Sequence, residues 1–417
     1  MHAVNAAVSG LSALPSTARP MASVKAMSRF LGHDDVTLPA LIEPAQEAVR
    51  DALASSSAAV ALVVHDWCML NYRTGNADRL RRSHATDLGY ELGSALILDA
   101  ATGQPLGPME LRLRTAAGTL STRPTATAHP PGHVDELLDV MNDARTRWHL
   151  GKPLVHVIDR EADSVDHYRQ WSQRGHAFVV RADDDRVVTW QGRSCALREI
   201  VKSLEFQFRD VFGADGQVQR VTTQRGDGRV QATETMVTLD RPATKRVNGK
   251  QVKVPGVALP LRLVLGRVVD DLGVVRAQWL LFTSVGPEHD AATVTRWYAW
   301  RWRIESYHKL LKSAGMNAEA WEQESGEAVA KRLVVASMAC LTVWHLQRDP
   351  SPAAGELRRI LVRLSGRQMK HRVESTAPAL LAGLEKLLAL DDLQDQYDLR
   401  EVLALARRVL PTLFRSG

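Results

Sequence analysis

The sequence is poor in cysteine and has no long apolar run. Only three cysteines occur in 417 residues, Cys68, Cys195 and Cys340, and none has a CxxC or His-paired zinc spacing. This usage suits a reducing cytosol and argues against a disulfide-stabilised scaffold. No apolar run reaches the ~20 residues that a bilayer-spanning helix needs, and the N-terminus lacks a basic segment followed by an apolar core. We therefore expect a cytoplasmic protein with no membrane partner.

Motifs of nucleotide-driven and zinc chemistry are missing as well. The chain contains no GxxxxGK[ST], HExxH or GxGxxG, so ATP-driven chemistry, zinc hydrolysis and dinucleotide binding have no local support. We expect no nucleotide cofactor. What is present is ordinary for a globular protein, with 45% hydrophobic and 24% charged residues in a length that allows two or three domains. The net charge of +6 mildly favours a polyanionic partner.

The most informative stretch is Trp297–Lys312, WYAWRWRIESYHKLLK, whose composition predicts one continuous helix. At about 100° per residue, large apolar residues fall on one side and a polar stripe on the other. Paired charges in such a stripe are commonly solvent-exposed surface. The alternative is a carboxylate that holds a metal beside cations that bind phosphate. The stripe consists of Tyr298, Arg301, Glu305, Lys309 and Lys312.

Two aspartates follow buried-strand patterns elsewhere in the chain. Asp66 comes directly after the run AAVALVVH, and Asp159 comes directly after LVHVI. An aspartate at a strand end is a common turn residue and also a common metal ligand. Glu161 and Asp163 compete with Asp159 in the string VIDREAD, although acidic residues at those two positions also suit the first turn of a helix.

The spacing Y-x2-R-x3-E-x6-K within Tyr298–Lys312 resembles the signature of the insertion-sequence-four family of cut-and-paste DDE transposases, which includes the transposon-five type. The strings D-x5-YR at Asp66 and DREAD at Asp159 resemble two further motifs of that family. The resemblance implies that Asp66, Asp159 and Glu305 form the catalytic and metal-binding triad. It also implies two Mg²⁺ ions, for which Mn²⁺ would substitute, and double-stranded DNA as the substrate.

The same resemblance assigns DNA contacts to further residues. Arg181 ends the string FVVR, where an arginine is otherwise commonly a salt-bridge partner. Trp279 would stack on an extruded base, although a tryptophan on a buried strand is commonly part of the core. The other expected DNA contacts are Tyr298, Arg301, Lys309, Lys312, Tyr72 and Arg73.

The expected fold class is α/β, with a ribonuclease-H-like catalytic core built on a mixed five-stranded sheet. The core would comprise residues 58–181 and 284–348. It would be interrupted at 182–283 by a β-rich insertion, in which Val/Thr/Leu-rich runs alternate with Asp-Gly and Asn-Gly turns. Residues 1–57 resemble a shortened helical DNA-binding region, and residues 349–417 resemble a helical dimerisation region.

One turn of the expected insertion is unusually basic. It is either a solubilising hairpin tip or a finger that contacts phosphates, and the sequence leaves both open. The cations around it are Lys245, Arg246, Lys250 and Lys253.

The resemblance implies a DNA transposase of the bacterial cytosol and nucleoid that excises and integrates an insertion sequence. Two-metal phosphoryl transfer would hydrolyse one strand at the end of the element, and the freed 3′-OH would then form a hairpin or join target DNA. A homodimer in a synaptic complex is expected. Two alternatives stay open: an N-terminally shortened, non-catalytic regulator of a full-length transposase, and a general ribonuclease-H-like nuclease.

Overall fold

A computed structural model describes residues 25–26, 29–72, 78–81, 88–124, 132–211, 217–223, 226–247, 250–321, 325–369, 373–394 and 397–409. The chain divides into two compact units. One comprises residues 38–308 and 323–330, and the other comprises residues 1–37, 309–322 and 331–417. Among the described residues, all strands lie in the first unit, and the regular elements of the second unit are helices. Arg73 lies outside the described residues. The four-segment division expected from the sequence stays a prediction.

The strands and longer helices follow one another along the chain in this order: α1 (Leu38–Ala54), β1 (Ala61–Asn71), β2 (Leu80–Arg81), β3 (Leu88–Asp99), β4 (Pro105–Arg114), β5 (Thr119–Ser121), α2 (Leu137–Arg147), β6 (Leu154–Ile158), α3 (Val165–Gln173), β7 (Ala177–Arg181), β8 (Val187–Trp190), β9 (Arg193–Ala196), α4 (Leu197–Leu204), β10 (Arg209–Asp210), β11 (Arg220–Thr223), β12 (Gly226–Leu239), β13 (Ala243–Val247), β14 (Lys250–Val254), β15 (Leu259–Val269), β16 (Val275–Thr283), α5 (Ala291–Trp300), α6 (Trp302–Lys309), α7 (Gly326–Arg348), α8 (Pro352–Ser365), α9 (Ala377–Gln394) and α10 (Leu399–Val409). By length and composition, helix α7 is long and apolar enough to cross a membrane. However, 78% of its most apolar 18-residue stretch is buried inside the protein.

The main sheet is mixed, with the strand order β5-β4-β3-β1-β6-β7-β16-β15-β12-β8-β9. Strands β1, β3 and β4 form an antiparallel meander, whereas β6 is parallel to both β1 and β7. This arrangement, with helices along the chain between the parallel strands, is compatible with a ribonuclease-H-like fold. The β-rich segment extends the same sheet, because β16 pairs antiparallel with β7 through Leu281 and Arg181.

Strand β1 is longer than its apolar run indicates. The run ends at His65, but antiparallel pairing with β3 continues from Ala61 opposite Asp99 to Asn71 opposite Gly89. The prediction that the strand ends at Asp66 is therefore wrong. The reason is that the partner strand β3 supplies backbone hydrogen bonds over this whole length, so the strand persists where its side chains become only half-buried.

The stretch predicted as one helix is broken at Arg301, where α5 ends and α6 begins. Arg301 N donates to Tyr298 O at 3.0 Å, and Ile304 N donates to Arg301 O at 3.1 Å. These bonds span three residues rather than four, so the backbone tightens locally, as in a 3₁₀ turn. After α6, a π-helical turn follows at Leu310–Ala314.

Helix α5 is fastened to the turn between β3 and β4. Trp297 Nε1 donates to Ala100 O at 3.1 Å. Gly103 has a φ of 69°, and a Cβ added there would lie 2.4 Å from the ring of Trp300. The turn therefore needs glycine for two reasons, its left-handed backbone and the close approach of the helix.

We expect Gly103→Ala to destabilise the protein by about 2–4 kcal/mol, since the left-handed backbone costs about 1–2 kcal/mol and overpacking adds about 1–3 kcal/mol. Gly273→Ala is a matched control, because Gly273 has a φ of 81° and nothing within 4 Å of an added Cβ. Urea unfolding of both variants measures the difference. Equal losses would show that the contact with Trp300 contributes nothing.

Three buried histidines form a chain across the sheet-containing unit. His65 Nε2 and His156 Nδ1 are 2.9 Å apart, and the rings of His156 and His176 have centroids 5.9 Å apart. His176 Nε2 lies 2.9 Å from Asn142 Oδ1. Burial lowers the pKa of all three, that of His156 to about 3 and that of His176 to about 4.

Acid is therefore expected to destabilise the protein through these histidines. An unfolded histidine binds a proton below about pH 6.5, whereas the buried ones stay neutral to a much lower pH. The stability is complete above pH 6.5 and is lost as the pH falls, by about 2 kcal/mol for each such histidine at pH 5. Urea unfolding at pH 7.5 and pH 5 measures this slope. His156→Gln should flatten it, and His149→Asn, a change at an exposed histidine, should not.

Candidate active site

Strand pairing brings Asp66 and Asp159 to the same place on the sheet. The parallel register of β1 and β6 ends with His65 opposite Ile158, so the next residue on each chain segment is an aspartate. Asp159 Oδ1 accepts a hydrogen bond from Arg160 N at 2.6 Å, and Asp66 Oδ1 accepts one from Trp67 N at 2.9 Å. Each carboxylate is therefore held by a backbone amide.

Arg301 connects the two aspartates with Glu305. Its Nη1 lies 3.7 Å from Asp66 Oδ2, and its Nη2 lies 3.5 Å from Asp159 Oδ2 and 2.5 Å from Glu305 Oε1. The Arg301 side chain is only 12% exposed. The structure thus brings the three carboxylates from distant parts of the sequence to one guanidinium, which sits at the tightened turn between α5 and α6.

The electrostatics of this cluster reflect its partial burial. Burial raises the pKa of Asp66 to about 6, with Glu305 and Asp159 adding to the rise and Arg301 opposing it. Burial also acts to raise the pKa of Asp159, but Arg301 and hydrogen bonds from Arg160 N and the Tyr298 hydroxyl bring that pKa below its usual value. Of the two aspartates, Asp66 is therefore the one whose ionised form is less favoured.

An aromatic and basic cavity adjoins the carboxylates. Tyr298 Oη donates to Asp159 Oδ1 at 3.1 Å, and its ring meets that of Trp279 edge to face with centroids 5.6 Å apart. Trp279 also packs against the apolar cluster around Val268. The cavity has a volume of about 270 Å³ and is lined by Arg181, Arg276, Ala277, Gln278, Trp279, Tyr298, Ala299, Arg301, Trp302 and Glu305.

Three of the remaining predicted DNA contacts have other surroundings. Tyr72 is buried, with its ring 5.7 Å from that of Tyr90 and 4.7 Å from the guanidinium of Arg79. Lys309 is exposed, and Lys312 forms an ion pair with Glu319 at 3.2 Å. Both lysines belong to the helical unit, and their predicted contact with DNA stays a prediction.

His308 was not among the predicted site residues. His308 Nδ1 lies 3.9 Å from Asp66 Oδ2, and its Nε2 lies 3.1 Å from the hydroxyl of Ser94, which is opposite Asp66 in the β1–β3 register. The spacing contained a clue, because a residue three positions after Glu305 lies on the same side of a helix. His308 therefore lies beside the aspartate whose pKa is raised.

The two acidic competitors of Asp159 make other contacts. Asp163 accepts hydrogen bonds from Tyr168 Oη at 2.9 Å and Asp183 N at 2.8 Å, and it also pairs with Arg186. Glu161 Oε2 lies 3.0 Å from His133 Nε2, and the His133 ring stacks on Trp67 at 4.5 Å. Asp163 is therefore a structural residue that joins α3 to the segment after β7.

The chemistry of the donor set fits a hard divalent cation, since carboxylate oxygens are the ligands that Mg²⁺ prefers. In the part of the chain that the structure describes, no group of three or more His, Cys, Asp or Glu side chains has the spacing of a metal-ligand set. The positive charge among Asp66, Asp159 and Glu305 comes from Arg301. The three carboxylates are therefore suitable ligands for a divalent cation, and in the structure the Arg301 guanidinium balances their charge.

No protein-family model matches the chain, and no curated protein matches it. Among solved structures, the chain is similar to a piggyBac transposase in a synaptic complex with hairpin DNA, with a TM-score of 0.36 and 11% sequence identity. The alignment covers 86% of this chain and 58% of that chain.

Proposed function

We propose that the protein is a DNA transposase of the DDE type, similar to the insertion-sequence-four family, which excises and integrates an insertion sequence. The observation that carries this proposal is the gathering of Asp66, Asp159 and Glu305 around Arg301. These carboxylates come from β1, from the residue after β6 and from α6. The motif spacing in the sequence agrees with it.

The residues around the carboxylates suit a DNA backbone. Mg²⁺ ions held by the triad would activate an attacking oxygen and stabilise a leaving one. Arg301 can present two N–H groups to one phosphate, and Tyr298 can donate its hydroxyl hydrogen bond to a phosphate oxygen. Arg181 and Arg276 add positive charge to the same cavity. A base extruded from the duplex could stack on the ring of Trp279 or Trp302, which also line this cavity.

The proposed reaction is a pair of phosphoryl transfers. The oxygen of a water molecule attacks a phosphorus at the end of the element and forms a new P–O bond while the bond from phosphorus to the 3′ oxygen breaks. One proton passes to that oxygen, which leaves as a 3′-OH, and the other water proton is lost to solvent. That hydroxyl then loses its proton to solvent while its oxygen attacks a second phosphodiester, in the opposite strand or in target DNA, and displaces the 3′ oxygen there. A homodimer would hold the two ends of the insertion sequence together, and the reaction would take place in the bacterial cytosol.

A donor plasmid that carries the coding region with its native flanking DNA tests the proposal. The purified protein with Mg²⁺ should cut at both flanks and join the freed 3′ ends to a target plasmid, and sequencing of the junctions should show one fixed pair of ends. Nicked DNA without joined products would indicate a nuclease instead. Binding to the ends without cleavage would indicate a regulator.

A further inference from the structure

Strands β13 and β14 form a ribbon that stands apart from the main sheet. They pair only with each other in the described structure, from Ala243 opposite Val254 to Val247 opposite Lys250. Strand β14 is exposed at four consecutive residues, and only Val254 at its end is half-buried. Because successive side chains of a strand point to opposite faces, exposure at every position means that both faces of β14 are open to solvent.

The ribbon is basic throughout. Residues 243–254 contain four cations and no Asp or Glu. Lys250 and Lys253 are exposed, and Lys253 Nζ donates to Thr244 Oγ1 at 2.7 Å rather than to a carboxylate. A solubilising surface normally mixes both signs of charge. A ribbon of one sign suits a polyanion.

A buried arginine holds the base of the ribbon in place. Arg169 on α3 is 8% exposed and donates to three backbone carbonyls, those of Val257 at 2.8 Å, Arg241 at 3.1 Å and Leu239 at 3.4 Å. Gly256 packs so closely that an added Cβ would lie 2.6 Å from Arg169 Nη1. The ribbon thus leaves the core at a fixed point, because both connecting segments are bonded to one guanidinium.

A groove runs from the acidic site to this ribbon. It has a volume of about 670 Å³, and its lining includes Asp159 at one end and Arg241, Thr244 and Lys253 at the ribbon end. Arg181 lines both this groove and the cavity beside Glu305. The middle of the groove carries both signs of charge, whereas the charged side chains at its ribbon end, Arg241 and Lys253, are both basic. A polyanion whose backbone lies at the carboxylates therefore meets unopposed positive charge at the ribbon end.

We propose that the β13–β14 ribbon seats in a groove of duplex DNA and so holds the duplex on which the acidic site acts. The major groove of B-DNA is about 12 Å wide and admits a two-stranded ribbon. The phosphates that border the groove attract lysines on both faces of such a ribbon. This inference rests on the proposed function for its substrate and adds to it the element that binds the DNA.

The double variant Lys250→Glu/Lys253→Glu tests the inference. It should weaken binding to a duplex of about 30 base pairs at least tenfold and reduce the slope of log K against log salt by about 2. Arg193→Glu/Lys202→Glu makes the same change in net charge at exposed positions of β9 and α4 and should bind within about twofold of wild type. Circular dichroism and unfolding curves should be unchanged for both, and Lys250→Ala/Lys253→Ala repeats the test without new negative charge.

Two outcomes would overturn the inference. One is equal weakening by the ribbon variant and the control variant, which would mean that only net charge matters. The other is equal weakening for the duplex and for a single strand of the same length, since a single strand offers no groove. If instead the proposed function were incorrect, the wild-type protein would bind duplex DNA but would neither cut nor join it, and the two failures can therefore be distinguished.

Discussion

Replacement of Asp66, Asp159 or Glu305 by alanine should reduce strand cleavage about a thousandfold or more, a loss of about 4 kcal/mol of transition-state stabilisation. Each carboxylate lies against the same guanidinium, so each is placed to share cations with the other two. Because the three act as a unit, a double variant should be no slower than the slowest single variant.

Cleavage of an end-labelled duplex under single-turnover conditions, with Mg²⁺ and with Mn²⁺, measures these losses. Duplex binding without divalent ions should persist in all three variants. Glu161→Gln is the matched control, because Glu161 is two residues from Asp159 but 64% exposed and paired with His133. It should cleave within a few fold of wild type. Full activity of any triad variant would contradict the proposed site.

Removal of the Arg301 guanidinium should cause the largest change in stability. Arg301→Ala leaves three carboxylates together without their counter-charge, and breaking a buried ion pair in this way costs about 3–5 kcal/mol. Of the three carboxylates, Asp159 interacts most strongly with the Arg301 charge, ahead of Asp66 and Glu305. The midpoint of urea unfolding at pH 7.5 should fall accordingly.

A second substitution distinguishes charge from packing. Asp66→Ala/Arg301→Ala should recover part of the lost stability, because it removes one of the uncompensated carboxylates, whereas a pure packing defect would become worse. Mg²⁺ should raise the stability of Arg301→Ala more than that of wild type, since a cation would then replace the missing charge. Unchanged stability in Arg301→Ala would mean that the carboxylates do not depend on this residue.

Parts of the fold were predictable because their causes are local. The run LVHVI is the same five residues in the prediction and in β6. The motif spacing named Asp66, Asp159 and Glu305, and the structure brings these residues together. Their catalytic roles, the metal ions and the DNA contacts stay predictions.

Other parts depended on residues far away in the chain. Asp66 lies inside β1 because β3 pairs with that strand beyond the apolar run. The residues around Arg301 are helix formers and predicted a continuous helix. In the structure the backbone tightens at Arg301, and its guanidinium contacts Asp66 and Asp159 from distant parts of the chain. No local pattern contains such partners. His308 was not predicted for the same reason, because its partner Ser94 lies more than two hundred positions earlier in the chain.

The sequence by itself determined which residue types were available: three carboxylates in recognisable spacings, an all-basic segment at 243–254, and apolar runs for a sheet. Only the tertiary structure decided that the carboxylates share one guanidinium, that β16 continues the sheet from β7, and that the basic segment stands clear as a separate ribbon. The physical reason is that strand register and ion-pair partners are set by hydrogen bonds and charges between segments that meet only after folding.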